Sequence, residues 1–294
     1  MSGSGQPRAA VVIPCFNQAH YLGEAIESAL SQTLPPSEVV VIDDGSEDNS
    51  YEVAGRYDEV QRTRQQNSGV AAARNVGWKR TSAEYLVFLD ADDRLVPEAL
   101  ELGIEALQRR PQVAFVAGFS RDIGGDGHAK GGSRQPLVSQ DHYLRLLEDC
   151  FIWSGSSIVY RRSALEAVGG FDESLDAADD YELYMRLARR FPVFCHGGVV
   201  TDYRRHGTNT TRDAAIVLTS QLEVQSRQRR EVRDRLEREA LRRGIGKTRR
   251  EHGRALAEQI GEDWRHRRRR RAMQGVRTLF RRDPRGLARL VSAV

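Results

Sequence analysis

The sequence predicts an α/β fold: a mainly parallel sheet with helices on both faces, continued by a C-terminal helical tail. Three observations carry this. Short, almost wholly apolar runs alternate with helical periodicity over the first 120 residues. Such runs are strands buried on both faces, the environment of a parallel sheet. Several end in polar clusters, as strands do where a sheet presents its C-terminal edge to a ligand crevice. Beyond residue 212 the apolar runs stop and a charged, helix-forming composition takes over.

Ala10-Val-Val-Ile-Pro14 is the first predicted strand, followed by Leu22, Ile26, Ala29 and Leu30 at the spacing of one helix face. Val39-Val-Val-Ile42 is the second, running straight into Asp43-Asp44-Gly45-Ser46. A weaker strand is predicted over 60–64 and a helix over 70–79. Tyr85-Leu-Val-Phe-Leu89 is a buried strand leading into Asp90-Ala91-Asp92-Asp93. Pro97 opens a helix carrying Leu100, Ile104 and Leu107, because a first turn tolerates a residue without an N–H. Val113–Ala117 gives a fifth strand. Residues 121–136 are glycine-rich and polar and predict a mobile loop. A strand at 158–160, a helix over 181–190 and strands at 193–194 and 199–203 complete the body.

Charge divides the chain. Residues 213–294 hold 23 Lys and Arg against 11 Asp and Glu, a balance of +12. Of totals of 45 and 41, that leaves 22 and 30 in residues 1–212, a balance of −8 behind the net +4. The expected domains are therefore an acidic body, 1–212, with halves at about 9–120 and 121–212, and a basic tail, 213–294, meeting a different partner. With 39% hydrophobic residues the chain is not a disordered polymer. Cys15, Cys150 and Cys195 are odd in number and lack CxxC spacing, which fits reduced core thiols and excludes a disulfide scaffold or cysteine zinc site. No apolar run reaches the roughly 20 residues of a membrane span, and the first is too short for a secretory signal. A cytoplasmic location is the expectation.

Asp90 and Asp92 close a buried strand. Carboxylates two apart in a turn can face one crevice, and hard oxygen ligands there suit Mg²⁺ or Mn²⁺ held against a diphosphate. The same residues could simply form a turn before the next helix. A second acidic cluster at 43–44, also at a strand end, favours the metal reading.

Eight motifs in order extend the pattern: Val12-Ile-Pro-Cys-Phe-Asn17, Ser28-Ala-Leu-Ser-Gln-Thr33, Val41-Ile-Asp-Asp-Gly-Ser46, Asn67-Ser-Gly-Val-Ala-Ala-Ala-Arg-Asn75, Phe88-Leu-Asp-Ala-Asp-Asp93, Gly169-Gly-Phe-Asp172, Asp179-Asp180 with Leu183, and Tyr203-Arg-Arg-His206. Together they resemble the signature of glycosyltransferase family 2 over residues 9–210, leaving the tail uncovered. The resemblance implies a GT-A fold with a Rossmann-like sheet, a nucleotide-sugar donor, a divalent metal and inversion at the anomeric carbon. By position it assigns Pro14, Phe16 and Asn17 to the nucleoside pocket and Asp44 to the imide N–H of the base. Gly69, Arg74 and Asn75 fall on the nucleotide or diphosphate, with Asp90, Ala91 and Asp92 on donor and metal and His206 as a further metal or diphosphate contact. Asp180 stands where the family has its general base, beside Asp179. Trp153, Ser154 and Gly155 precede a strand on the acceptor side, where a tryptophan can stack on a sugar or serve the core. Relatives often carry Tyr in place of Phe16 and Glu in place of Asp179.

In the tail, Met273, Val276 and Phe280 and then Leu287, Leu290, Val291 and Val294 recur at helical spacing, the latter after an Asp283-Pro284 helix start, among Arg277, Arg281, Arg282, Arg285 and Arg289. This predicts an amphipathic surface for an anionic inner leaflet, another subunit or the chain's own body. Nucleic acid ranks last, since no base-reading motif accompanies the arginines. A non-catalytic module binding nucleotide-sugar or glycan is the rival to an enzyme. A sugar-1-phosphate nucleotidyltransferase is set aside because Cys15-Phe16-Asn17-Gln18 stands where its glycine-rich phosphate loop belongs.

Overall fold

A computed structural model describes residues 8–130, 135–207, 209 and 212–286. The chain forms two compact units: Met1–His142 with Phe151–His206, and Tyr143–Cys150 with Gly207–Val294. The second unit thus begins before the 212/213 boundary and takes in a short segment from mid-chain.

The first unit is built on an eight-stranded sheet of order β3-β2-β1-β4-β7-β6-β8-β5. Its strands are β1 (Ala9–Cys15), β2 (Glu38–Asp43), β3 (Val60–Arg64), β4 (Tyr85–Phe88), β5 (Arg94–Leu95), β6 (Phe115–Gly124), β7 (Ile158–Arg161) and β8 (Phe194–Arg205). The first four pair in parallel, joined through α1 (Ala19–Leu30), α2 (Ser50–Ala54) and α3 (Val70–Lys79). Every residue of β1 is buried, as a strand covered on both faces requires. Leu22, Ala25, Ile26 and Ala29 of α1 pack on it, while Leu30 is only partly buried. After α4 (Ala99–Gln108) the sheet becomes mixed. β7 runs antiparallel to both β4 and β6, and β5 antiparallel to β8.

Two sequence expectations change here. The 121–136 segment is not loop throughout: β6 continues to Gly124 and pairs with β8 as far as Gly124↔Arg205. The two short strands at 193–194 and 199–203 are one strand, β8, with register shifts near Ala117 and Phe119 on β6 opposite Gly197-Gly198. Two helices of this unit, α6 (Arg162–Val168) and α7 (Asp179–Arg190), follow β7; α6 was not foreseen.

The second unit holds most of α5 (His142–Glu148), with α8 (Ala214–Arg227), α9 (Arg235–Arg265) and α10 (Arg269–Arg282). Its core is Leu218, Leu222, Leu256, Ala257, Ile260, Ala272 and Leu279. Asp213 and Asp234 cap α8 and α9 by accepting backbone N–H bonds in the first turn. No helix among the described residues is long and apolar enough to cross a membrane. Asp283 follows the end of α10, and a short 3₁₀ turn comes next at Pro284–Gly286. The stripe at Leu287, Leu290, Val291 and Val294, with Arg289, lies outside the described residues.

Candidate active site

Every residue assigned from the sequence to donor, metal, base or acceptor belongs to the first unit. The C-terminal ends of β1 and β2 lie side by side, with Cys15 opposite Asp43, and Leu89 N–H bonds to the Val12 carbonyl so that β4 ends beside them. The loops leaving these strands form one wall.

Phe16 turns outward with 46% of its surface exposed, a free ring face at the strand end. Asn17, at φ 53°, uses its Oδ1 to accept the Glu47 N–H at 2.7 Å and its own N–H to reach Ser46 Oγ at 2.9 Å. It laces the β1 loop to the β2 loop. Pro14 is buried inside β1 and forms no exposed part of a pocket wall.

Asp44 is also buried, and both its oxygens are engaged. Oδ1 accepts from Gln65 Nε2 at 2.7 Å and Ser68 N–H at 2.9 Å, and Oδ2 accepts from Gly69 N–H at 2.9 Å. Gly69 sits at φ 91° with nothing within 4 Å of a would-be Cβ, so the backbone angle rather than crowding calls for glycine. Asp44 therefore shapes the loop into α3. Its neighbour Asp43, not singled out from the sequence, points elsewhere, as adjacent side chains of an extended segment do. Asp43 Oδ1 accepts the Ser46 N–H at 2.9 Å. Its buried Oδ2 accepts no hydrogen bond and has only Arg64 Nε at 3.3 Å.

Arg74 and Asn75 lie on α3, but protein partners claim both. Arg74 is buried between two carboxylates, with Nη2 2.7 Å from Asp90 Oδ1 and Nη1 2.7 Å from Asp179 Oδ2, and lies over the Phe171 ring. Burial would lower its pKa, but Asp179, Asp90 and Asp180 outweigh that and raise it. Arg74 thus links the turn after β4 to the start of α7 instead of facing a diphosphate alone. Asn75 accepts from Phe171 N–H and Trp78 Nε1 and donates to the Phe171 carbonyl and Glu173. These bonds make Asn75 a clasp on the Gly169–Asp172 loop. Gly170, at φ 79°, passes so close that a Cβ would lie 2.5 Å from Asn75 Oδ1.

Asp90 and Asp92 straddle buried Ala91. Asp90 keeps 32% of its side chain exposed beyond the Arg74 contact, and Asp92 Oδ2 lies 2.7 Å from His206 Nε2. Burial first, and then the charge of Asp90, push the Asp92 carboxyl above its usual range, with His206 opposing. His206 packs on Tyr21, ring centroids 4.9 Å apart. Among the described residues no three acidic, His or Cys side chains are arranged as a metal cage. The donor set still suits a hard divalent ion: Mg²⁺-type sites commonly use one or two carboxylates and take the rest from substrate phosphates and water.

Behind this turn lies a lattice that the motifs did not reveal. Asp93 is buried, accepting from Ser156 Oγ at 2.8 Å, Ser154 Oγ at 3.3 Å and the Arg204 N–H at 3.0 Å. Arg204, fully buried, donates to the Asp92 carbonyl at 2.8 Å and to Glu24 at 2.7 Å and covers the Tyr21 ring. Ser154 is therefore a structural member of the Trp153–Gly155 segment, while Trp153 remains 46% exposed.

Gly155 brings the two sides together. A Cβ there would stand 3.6 Å from Asp180 Oδ2, 3.6 Å from Tyr184 Oη and 3.7 Å from Arg74 Nη2. Asp180 accepts the Tyr181 N–H at 2.6 Å and the Tyr184 hydroxyl at 3.3 Å. Burial, then the charge of Asp179, raise its carboxyl to about 6, with Arg74 and the Tyr181 N–H holding it from rising further. Neither aspartate is the helix cap, which is Ala178 in the left-handed region. Cys15 and Cys195, by contrast, are buried thiols raised to about 11 and about 12 by burial, which makes them inert.

Comparison with known proteins gives this arrangement a context. The model of glycosyl transferase family 2 matches residues 10–169, more than half of the chain. An uncharacterized glycosyltransferase of Rickettsia typhi is 31% identical over 215 residues, 71% of this chain and 67% of that protein. Chondroitin synthase of Escherichia coli is 27% identical over 218 residues, 70% of this chain but only 30% of the synthase. Among solved structures, S. aureus TarS 1–349 in complex with UDP-GlcNAc superposes with a TM-score of 0.64 at 19% identity, covering 86% of this chain and 80% of that one. The mannosyltransferase PcManGT of Pyrobaculum calidifontis, in complex with GDP-Man and Mn²⁺, gives 0.65 at 19% identity over 98% of this chain and 80% of that one. At that identity the likeness shows the fold, which is GT-A. With a family model spanning its strand-end motifs and a relative aligned over two thirds of its own length, the chain belongs to glycosyl transferase family 2.

Proposed function

We propose that the protein is an inverting glycosyltransferase that moves a hexose-type sugar from a nucleotide-diphosphate donor to a hydroxyl acceptor, with Asp180 as general base. The observation that carries this is the environment of Asp180: a partly buried carboxylate at about 6, beside the space that Gly155 leaves open. A base poised near neutral pH can take the acceptor hydroxyl's proton as oxygen attacks the anomeric carbon, contributing roughly 10²–10⁴-fold. The Tyr184 hydroxyl and Tyr181 N–H orient the carboxylate. Arg74 fixes Asp179 beside it and Asp90 on the donor side, so both halves of the reaction share one cation.

Phe16 offers its face to the base, and the orphan Oδ2 of Asp43, with Asp44 shaping the loop beside it, suits an imide N–H. Uracil and guanine carry such a donor, whereas adenine and cytosine do not. UDP-sugar is the first candidate, supported by the UDP complexes of TarS. Asp90, Asp92 and His206 would hold a Mn²⁺ or Mg²⁺ ion, which supplies Lewis-acid neutralisation of the departing diphosphate. Trp153 supplies an exposed ring beside Gly155 on which an acceptor sugar can stack. The acceptor class is a cell-surface polysaccharide, glycan or lipid-linked precursor, in line with the chondroitin synthase relative, of which this chain spans under a third.

The test is transfer and donor hydrolysis across a nucleotide-sugar panel with Mn²⁺, for wild type, Asp92→Ala and Asp180→Asn. Both variants should lose transfer. Activity unchanged in both would sink the mechanism, and donor binding without turnover on any acceptor would favour a binding module.

A further inference from the structure

We infer that one face of α10 is a docking surface for an anionic lipid bilayer. The opposite face of this helix is already occupied. Ala272, Gly275 and Leu279 are buried, and Gly275 lets Ile260 of α9 approach so closely that a Cβ would lie 2.6 Å from it. Val276 is partly buried on the same core. The Met273–Val276–Phe280 stripe is thus split by the packing: its middle member turns inward, while Met273 and Phe280 remain 49% and 63% exposed.

Seven residues separate these two, so they lie almost in line along the helix. Arg277 falls between them at i+4 from Met273, and Arg270 and Arg281 flank the line at one end and the other. Residues 264–282 contain nine arginines and no acidic residue. Arg268 and Arg271 are drawn to Asp263 and Asp213, but no ion pair is present at Arg269, Arg270, Arg277 or Arg281 among the described residues. Trp264, which opens this segment, is 51% exposed.

A line of large apolar side chains bordered by unpaired guanidinium groups has the architecture of an interfacial helix. The apolar tips enter the acyl boundary, and the arginine stems reach sideways to lipid phosphates. Charge alone would also suit nucleic acid, but a polyanion recognised through its phosphates leaves Met273 and Phe280 without a use. The acidic body of a second copy would meet the arginines, yet it too leaves those two in water. The bilayer is the occupant that satisfies both features.

The experiment uses the full-length protein and is independent of sugar transfer. Sedimentation is measured with vesicles of phosphatidylcholine alone and of phosphatidylcholine with 30% phosphatidylglycerol, for wild type, the double variant Met273→Ser/Phe280→Ser and the double variant Arg270→Gln/Arg277→Gln. All four positions are exposed, and unchanged thermal unfolding verifies the folds. Wild type should bind the anionic vesicles at least tenfold more tightly than the neutral ones, and each double variant should lose at least tenfold. Absence of binding to anionic vesicles overturns the proposal. So does binding that ignores the Met–Phe substitution, which marks a general polyanion site, and so does salt-sensitive self-association in place of vesicle binding.

Discussion

Replacing Asp180 with asparagine should inactivate the protein and, at neutral pH, make it more stable. The carboxyl is raised from 3.8 to about 6, roughly two units at about 1.4 kcal/mol each, or ~3 kcal/mol against the ionised form in the folded state. The direction follows from proton linkage. An acid with a raised folded pKa loses its proton first in the unfolded chain, so stability falls as pH rises between about 4 and 6 and stays lowered above. Near pH 4.5 only about 1 kcal/mol of this cost is present by the same relation. Asparagine carries no charge, so it escapes the charge cost but still buries an amide. A net gain of ~1–2 kcal/mol at pH 7.5 is expected, a few degrees in a domain of about 200 residues, shrinking towards zero at pH 4.5. The assay is unfolding of wild type and variant at both pH values, paired with transfer kinetics. The wild-type rate should climb through pH about 6 and level off, and the variant should lose roughly two orders of magnitude. A variant that is less stable at pH 7.5, by an amount that does not vary with pH, refutes the reasoning. Asp180 would then be a structural counter-ion of Arg74.

Three further substitutions probe the surroundings. Arg74→Met keeps the length of the side chain but leaves Asp90 and Asp179 without their shared cation, so unfolding should show a loss of about 3–5 kcal/mol, the scale for breaking a buried ion pair from one side. Asn75→Ala should cost about 2 kcal/mol by denaturant titration, because it strips the Phe171 backbone of its partner, while nucleotide affinity by calorimetry stays within twofold. Gly155→Ala adds a methyl group at ordinary contact distance from Asp180 and Tyr184, so thermal stability should hold while transfer falls about tenfold, a loss of roughly 1.4 kcal/mol, and donor hydrolysis persists.

The parallel part of the sheet was legible because its strands are so apolar. Val11, Val12 and Ile13 in β1 and Val39 to Ile42 in β2 are unbroken, buried apolar runs. The mixed part was not. The run Ile158-Val159-Tyr160 announces a strand but carries no information on direction, and β7 enters antiparallel between β4 and β6. β5 consists of Arg94 and Leu95 alone, fixed by Asp202 and Thr201 of β8, which lie far along the chain. The return of Tyr143–Cys150 to the second unit is likewise set by tertiary contacts, such as Arg243 on Glu148 and Lys247 on Asp149.

At the site, positions were legible and partners were not. The motifs located Asp90, Asp92 and His206 just past strand ends, where an open sheet presents its ligand crevice, and Asp180 in the first turn of α7. They could not tell a ligand-facing side chain from a structural one. Asn75 and Asp44 proved to have their hydrogen-bonding groups engaged by nearby backbone, and Asp43, one residue away, retains an unbonded oxygen. Which of two adjacent carboxylates stays unbonded depends on where the 65–69 loop returns, and local sequence does not specify that.

The charge balance around Arg74 has a consequence for the order of events. One buried guanidinium serves Asp90, Asp179 and, through space, Asp180, with Asp92 and Asp93 close behind. A diphosphate approaching this group meets more negative than positive charge, and its own charge adds to the excess. A divalent ion held by Asp90 and Asp92 would reverse that balance. Ion and donor should therefore bind with positive coupling, each raising the affinity of the other by the same factor. Calorimetric titration of donor at zero and saturating Mn²⁺, and of Mn²⁺ with and without nucleotide, measures both arms of that cycle. Asp92→Asn, which keeps the shape and removes one charge, should shrink the coupling while leaving metal-independent nucleotide binding intact or slightly tighter. Equal affinities with and without the ion would mean that Arg74 alone offsets the diphosphate, which its two short carboxylate contacts argue against.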